Sequence, residues 1–253
     1  MRLAGIFVSF LVSLCCCARA AAAAFFPQCR GEGRLFLDTA DTQQWESLLG
    51  LGIFHGVTTN PTLLERAGQP CNLENVQKLA RKALSQTDEF MCQSWGSTAQ
   101  ELYGNGMALS QTDRDRIVVK VPVTKTGLEA ASLLVQAGVR VCLTACYDHQ
   151  QAILAAGVGA EYIAPYLGRM TDAGKDGLEE CKRMRDIAEG LNSETRILVA
   201  SIREAESMAL LAEHGLDTFT FSPDIVHQLL DEPLTDKAAA DFEDAASRNT
   251  GSS

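Results

Sequence analysis

Several features are missing from this 253-residue chain, and each absence removes a class of function. There is no surplus of positive charge. The 22 Lys and Arg are outnumbered by 32 Asp and Glu, a net charge of −10, so a general nucleic-acid-binding surface is excluded. No Cys-x-x-Cys pair occurs among the nine cysteines, and His55, His149, His214 and His227 show no ligand spacing, so no metal is expected. The cysteines are too sparse for a disulfide scaffold in a chain this long. They read as buried free thiols, which suits a reducing compartment. No apolar run reaches the length of about 20 residues that a membrane span requires. No Gly-x-Gly-x-x-Gly follows the first strand-like segment, which argues against a doubly wound dinucleotide-binding sheet. No linker and no internal repeat divide the chain, which reads as one domain behind a leader.

The leader is residues 1–24. Met1-Arg2 supplies positive charge, residues 3–17 are an apolar run, and Ala18-Arg19-Ala20 has the small-x-small form of a cleavage site. This is the pattern of a secretory signal peptide, with a retained anchor as the alternative. Cys15, Cys16 and Cys17 lie in it, leaving Cys29, Cys71, Cys92, Cys142, Cys146 and Cys181. Residues 21–24 are all alanine, and with Phe25-Phe26-Pro27 they resemble the Ala-Phe-x-Pro junction of bipartite plastid-targeting leaders in algae with secondary plastids. That resemblance implies delivery to a plastid; plain secretion is the alternative. No stable membrane span is expected once the leader is cleaved.

Beyond the leader, 46% hydrophobic and 21% charged residues describe a soluble globular chain with a core. Short apolar, β-branched segments at 34–37, 56–59, 90–94, 117–121, 139–145, 162–166, 196–201 and 218–221 read as eight strands. Helical spacing separates them, through Trp45 and Leu48, then over 72–84, 99–109, 128–136, 149–156, 178–191 and 204–214. Further helices are expected at 224–230 and 236–246. Strand and helix alternating eight times predict an α/β fold, a single (β/α)8 TIM barrel over residues 34–247 with an extra C-terminal helix. Residues 248–253 read as a polar tail.

In such a barrel chemistry gathers at the C-terminal ends of the strands. Polar residues stand there on seven of the eight: Asp38, Thr58 with Asn60, Gln93, Lys120, Thr144, Tyr166 with Arg169, and Ser201 with Arg203. Asp38 and Asn60 could instead be helix caps. Lys120 is the sharpest anomaly, set in Ile117-Val118-Val119-Lys120-Val121-Pro122-Val123. A barrel strand is covered on both faces, and burial penalises an ammonium ion, so its pKa should fall. A neutral amine in such a place attacks carbonyl carbons and forms Schiff bases. The alternatives are a lysine snorkelling to the rim or paired with a carboxylate such as Asp38. Arg169, Ser201 and Arg203 lie where such barrels bind phosphate, and an anionic substrate needs a locally positive pocket in so acidic a chain.

These residues carry a family resemblance. Leu37-Asp38-Thr39-Ala40-Asp41, Gly56-Val57-Thr58-Thr59-Asn60-Pro61-Thr62, Val118-Val119-Lys120-Val121-Pro122-Val123-Thr124 and Ala164-Pro165-Tyr166-Leu167-Gly168-Arg169 are similar to signatures of the transaldolase family. The small members that include fructose-6-phosphate aldolase are the nearest group. The resemblance implies that Lys120 is the Schiff-base lysine and Asp38 the acid that assists proton transfer. It gives Thr58 and Asn60 to the dihydroxyacetone unit, Thr144 with Gln93 to a catalytic water, and Arg169, Ser201 and Arg203 to the phosphate. It implies sugar-phosphate substrates, no metal or organic cofactor, and a homo-oligomer, pentamer or decamer, in which the C-terminal helix finds its partner. Gln93 stands where transaldolases typically carry glutamate, and Tyr166 where they carry phenylalanine; both choices resemble the aldolase subgroup. Three readings therefore stand: a fructose-6-phosphate-type aldolase, a transaldolase of the pentose phosphate pathway, and a non-catalytic secreted binding barrel suggested by the leader.

Overall fold

The computed structural model describes residues 33–249. The leader, its plastid-like junction and residues 250–253 of the tail lie outside the described residues. Eight parallel strands close into a barrel in sequence order. They are β1 (Arg34–Asp38), β2 (Gly56–Thr58), β3 (Glu89–Gln93), β4 (Ile117–Pro122), β5 (Arg140–Cys146), β6 (Tyr162–Pro165), β7 (Arg196–Val199) and β8 (Thr218–Phe221). Helices α1 (Thr42–Leu48), α2 (Pro61–Arg66), α3 (Leu73–Leu84), α4 (Ala99–Ser110), α5 (Lys125–Gln136) and α6 (Gln151–Val158) connect the first six strands. α7 (Leu167–Asp172), α8 (Gly177–Gly190), α9 (Ala205–Ala212), α10 (Pro223–Leu230) and α11 (Pro233–Asn249) complete the chain. No helix among the described residues is long and apolar enough to cross a membrane.

Local chemistry explains the punctuation. Asp41, Asn60, Asn72, Thr98, Thr124 and Asp176 each cap a helix N-terminus with a side-chain oxygen, and Thr98 with Glu101 forms a capping box. Asp38 is not a cap; Asp41 fills that place. Two short helices escape sequence reading, α2 and α7, because six residues are too few to show a helical period. Strand β7 ends at Val199, two residues before the predicted end of that strand. Beyond it Ala200 bridges to Tyr166 and Ser201 turns into the left-handed region at φ 57°. The last helix runs to Asn249, past the predicted start of the tail.

The two-residue period of a strand sorts the side chains into two layers. Leu37, Val57, Cys92, Val119, Val121, Leu143 and Phe221 point outward and pack under the helices. Phe36, Met91, Val118, Cys142, Tyr162, Ala164, Leu198 and Ala200 form a separate cluster inside the barrel. Counting two residues on from the inner set places Asp38, Gln93, Lys120 and Thr144 on the inward face, one layer nearer the C-terminal rim.

The opposite, N-terminal end of the barrel is closed by charge. Glu89 at the start of β3 is buried, and its Oε2 accepts from Arg140 Nη2 at 2.5 Å, while Arg140 also pairs with Glu161. Arg34 adds a hydrogen bond to Tyr162, and His55 lies 3.7 Å from the same Glu89 oxygen. Glu89 Oε1 is buried without a hydrogen-bond partner, so the carboxylate depends on the groups around Oε2. Burial by itself would raise the Glu89 pKa, but His55 and Arg140 outweigh it and hold the carboxyl below its usual range. Its stabilising contribution is therefore complete above the usual carboxylate range and lost only as pH falls through the lowered value. Arg140→Ala should lower unfolding free energy by roughly 3 kcal/mol, the low end for orphaning a buried charge because Arg34 and His55 remain. A fall in the denaturant midpoint at unchanged slope would show it; an unchanged midpoint would mean the network contributes nothing.

Candidate active site

The C-terminal rim opens on a cavity of about 440 Å³. Of the predicted site residues, Asp38, Asn60, Lys120, Tyr166, Arg169, Ser201 and Arg203 line it. Thr58, Gln93 and Thr144 do not line it but reach it through their neighbours. Thr58 Oγ1 donates to Asp38 Oδ1 at 2.6 Å, Thr144 Oγ1 lies 3.0 Å from the Tyr166 hydroxyl, and Gln93 is the register partner of Lys120. Sequence reasoning missed Arg66, Thr220, Ser222 and Asp224, which also line the cavity. Thr220 was legible in principle: Phe219 and Phe221 pack outward, so the threonine between them must face in. Arg66 was not, because the short helix that carries it was not foreseen.

Lys120 is 2% exposed and sits among Tyr166, Asp38, Cys142 and Cys92. Desolvation pulls its pKa down, but the negative charge that Tyr166, Asp38 and the two thiols can carry pushes it up, and the net direction is upward. This corrects the expectation drawn from burial alone. The flanking thiols are themselves pushed up to about 12 by burial, so near neutral pH they carry no charge. Of the groups that push the lysine up, Tyr166 acts most strongly and Asp38 next. Attack on a carbonyl needs the neutral amine, so a group able to accept its proton must stand within reach.

Asn60 has a double position. Its Oδ1 accepts from Leu63 N at 3.1 Å and caps α2, while the amide nitrogen is left for the cavity. Arg169 is held over the Tyr166 ring, 4.9 Å from its centroid, and donates to the Tyr147 hydroxyl at 3.4 Å. Arg203 pairs with Asp172 at 2.8 Å, both being exposed, a contact that an incoming anion can displace at small cost. Ser201 lies between these arginines in sequence, and its left-handed backbone is uncommon for a residue other than glycine. Gly168 makes that bend possible: its N–H donates to Ser201 O at 2.9 Å, and a Cβ there would lie 2.5 Å from that oxygen and 2.7 Å from Arg203 Cγ. Two arginines and a serine at one edge of the cavity can bind an anionic group, with the Lys120 amine deeper inside.

A second polar group lies outside the cavity. Asp148, His149 and Glu180 bring three possible metal-ligand atoms within 4.8 Å of one another. Lys175 Nζ already stands 3.0 Å from Asp148 Oδ2, and Glu180 Oε2 accepts the His149 backbone N–H at 2.7 Å and lies 2.9 Å from its ring nitrogen. An ammonium in that place competes with any cation, and the cluster serves to tie α8 to the loop before α6.

Comparison with known proteins bears on this geometry. The family model for transaldolase/fructose-6-phosphate aldolase matches residues 35–252. A probable transaldolase of Hyphomonas neptunium is 35% identical over 209 residues, covering 83% of this chain and 94% of that protein. A probable transaldolase of Caulobacter vibrioides is 34% identical with the same coverage. Among solved structures, a flavocytochrome b2 mutant superposes with a TM-score of 0.50 at 13% identity, over 75% of this chain and 56% of that one, a likeness of fold alone.

Gly168→Ala should displace Ser201 and Arg203 and weaken inorganic phosphate binding about tenfold or more, since small misplacements of binding groups have large effects. Calorimetric titration measures it; unchanged affinity would show that anions do not use this edge.

Proposed function

Because this chain belongs to the transaldolase/fructose-6-phosphate aldolase family, we propose that it is a Schiff-base enzyme that removes a dihydroxyacetone unit from a ketose phosphate such as fructose 6-phosphate. The observation that carries the reading is a lysine that is 2% exposed, beside a carboxylate, at the inner end of a cavity edged by Arg169, Ser201 and Arg203. The phosphate binds at that edge, which sets the sugar chain pointing toward Lys120. Asp38 takes the proton that frees the amine, and Lys120 attacks the ketone. The hydroxyl of the resulting carbinolamine leaves as water, protonated by way of Asp38 and a water held by Gln93, Thr144 and Tyr166. Asp38 then takes the proton of the C4 hydroxyl, the C3–C4 bond breaks with its electrons drawn into the iminium to form the enamine, and glyceraldehyde 3-phosphate departs. Asn60 hydrogen-bonds the hydroxyls of the unit left on Lys120.

The fate of that enamine separates the aldolase from the transferase reading. Protonation and hydrolysis release dihydroxyacetone; addition to an aldehyde such as erythrose 4-phosphate completes a transfer. Glutamine cannot hold a proton as a carboxylate does, and the Tyr166 hydroxyl 3.0 Å from Thr144 supplies a donor in its place. This favours protonation, hence the aldolase. The names of the relatives favour transfer. The assembly we propose is a homo-oligomer built through α11, on which no residue is buried and Leu234 and Phe242 are 75% and 73% exposed. The destination we propose is a plastid, supported by the leader; a fluorescent fusion of the first 40 or so residues decides between plastid and secretion.

Borohydride reduction in the presence of fructose 6-phosphate should fix a three-carbon adduct on Lys120, seen by peptide mass spectrometry. Lys120→Met should lose activity by about 10⁴-fold or more, as when a covalent nucleophile is removed. Full activity in that variant would end the Schiff-base reading. Gln93→Glu combined with Tyr166→Phe should shift product from free dihydroxyacetone toward transfer when erythrose 4-phosphate is supplied. An unchanged ratio would show that these two positions do not set it.

A further inference from the structure

We propose that Thr220 is a positioning residue for Asp38, acting through Thr58. This rests on the reading of Lys120 and Asp38 as the Schiff-base pair. Thr58 and Thr220 are 0% and 1% exposed, and their hydroxyl oxygens lie 2.5 Å apart. Thr58 also donates to Asp38 Oδ1 at 2.6 Å. A hydroxyl has one proton and two lone pairs. With the Thr58 proton committed to the carboxylate, its contact with Thr220 is a hydrogen bond only if Thr220 is the donor. The order is therefore Thr220 to Thr58 to Asp38.

The chain also works in reverse. When Asp38 takes up a proton, its O–H can donate to Thr58, and the Thr58 proton can turn toward Thr220. Both protonation states of Asp38 are then satisfied by rotating two hydroxyls, with no heavy atom moved. No net proton passes along the chain; it equalises the environments of the charged and neutral acid. Such preorganisation matters for a group that must accept a proton from the amine and return it to the departing water. Without Thr220, the protonated state of Asp38 leaves Thr58 without that acceptor. Position 220 has no part in the family motifs quoted above. Its role comes from barrel closure, which pairs β8 with β1 and lets Thr220 meet Thr58 of β2 across it.

The test compares Thr220→Val, which keeps the shape, with Thr220→Ser, which keeps the hydroxyl. Thr220→Val should lower kcat for fructose 6-phosphate about tenfold, the upper end for one net hydrogen bond between neutral groups, with KM changed less than about twofold. Adduct formation on Lys120, trapped by borohydride at successive times, should slow to a similar degree yet reach the wild-type extent. Thr220→Ser should restore kcat to near wild type. Equal kcat in the Val and Ser variants, whether both normal or both impaired, would overturn the proposal and leave Thr220 as a space-filling residue. If Thr220→Val does not fold, Thr220→Ala against Thr220→Ser makes the same comparison. Absence of any adduct in the wild-type protein is a separate failure: it ends the Schiff-base reading, and this proposal with it.

Discussion

The amine of Lys120 lies on the inward face of β4, directly above an apolar layer that includes Val118, Met91 and Cys142. A charge there has no bulk water to solvate it. What keeps it tolerable is a ring of groups supplied by other strands: Asp38 from β1, and Tyr166 just past β6. Each partner in turn is held. Asp38 is fixed by Thr58 on β2, and Tyr166 by Thr144 on β5 and by the guanidinium of Arg169 stacked on its ring. The rim of the barrel is thus organised around one buried lysine, and the barrel supplies the rigid frame from which those side chains converge.

The two ends of the barrel handle charge differently. At the floor, Glu89, Arg140, Glu161 and Arg34 are matched with one another, and Glu89 is held ionised by its neighbours. Such a cluster has nothing left with which to do chemistry, and it serves stability. At the rim, Lys120 and Asp38 face a cavity, and their side chains are available to a substrate. An apolar layer that includes Val118, Met91 and Cys142 separates the two networks in space.

In the proposed reading, binding and chemistry occupy different backbones. Lys120, Asp38 and Thr144 stand on strands, where position is exact to the register. Arg169, Ser201 and Arg203 stand on the segments that follow β6 and β7, where Ser201 adopts a left-handed conformation and Gly168 allows the two segments to touch. The strained bend sets where Ser201 and Arg203 stand at the edge of the cavity, and a side chain on Gly168 would close the space it needs.

Alternation of strands and helices, the inward face of each strand and the presence of a lysine in an apolar run are all local in the chain. They were legible as periods of two and of three to four residues, and they sufficed to place the barrel and seven of the cavity-lining side chains. Short helices such as α2 and α7 were not legible, because they complete too few turns to leave a period. The direction of the Lys120 pKa was misjudged for a related reason: burial can be read from neighbours in sequence, but the groups that raise it, Tyr166 first and then Asp38, come from other parts of the chain. The contacts that govern Asp38 span 20 residues to Thr58 and then 162 residues from Thr58 to Thr220. Sequence alone determined which side chains face inward, since that follows from strand geometry. Only the closed barrel decided which of them touch, because closure brings β8 beside β1, and no local pattern records the partner across that seam.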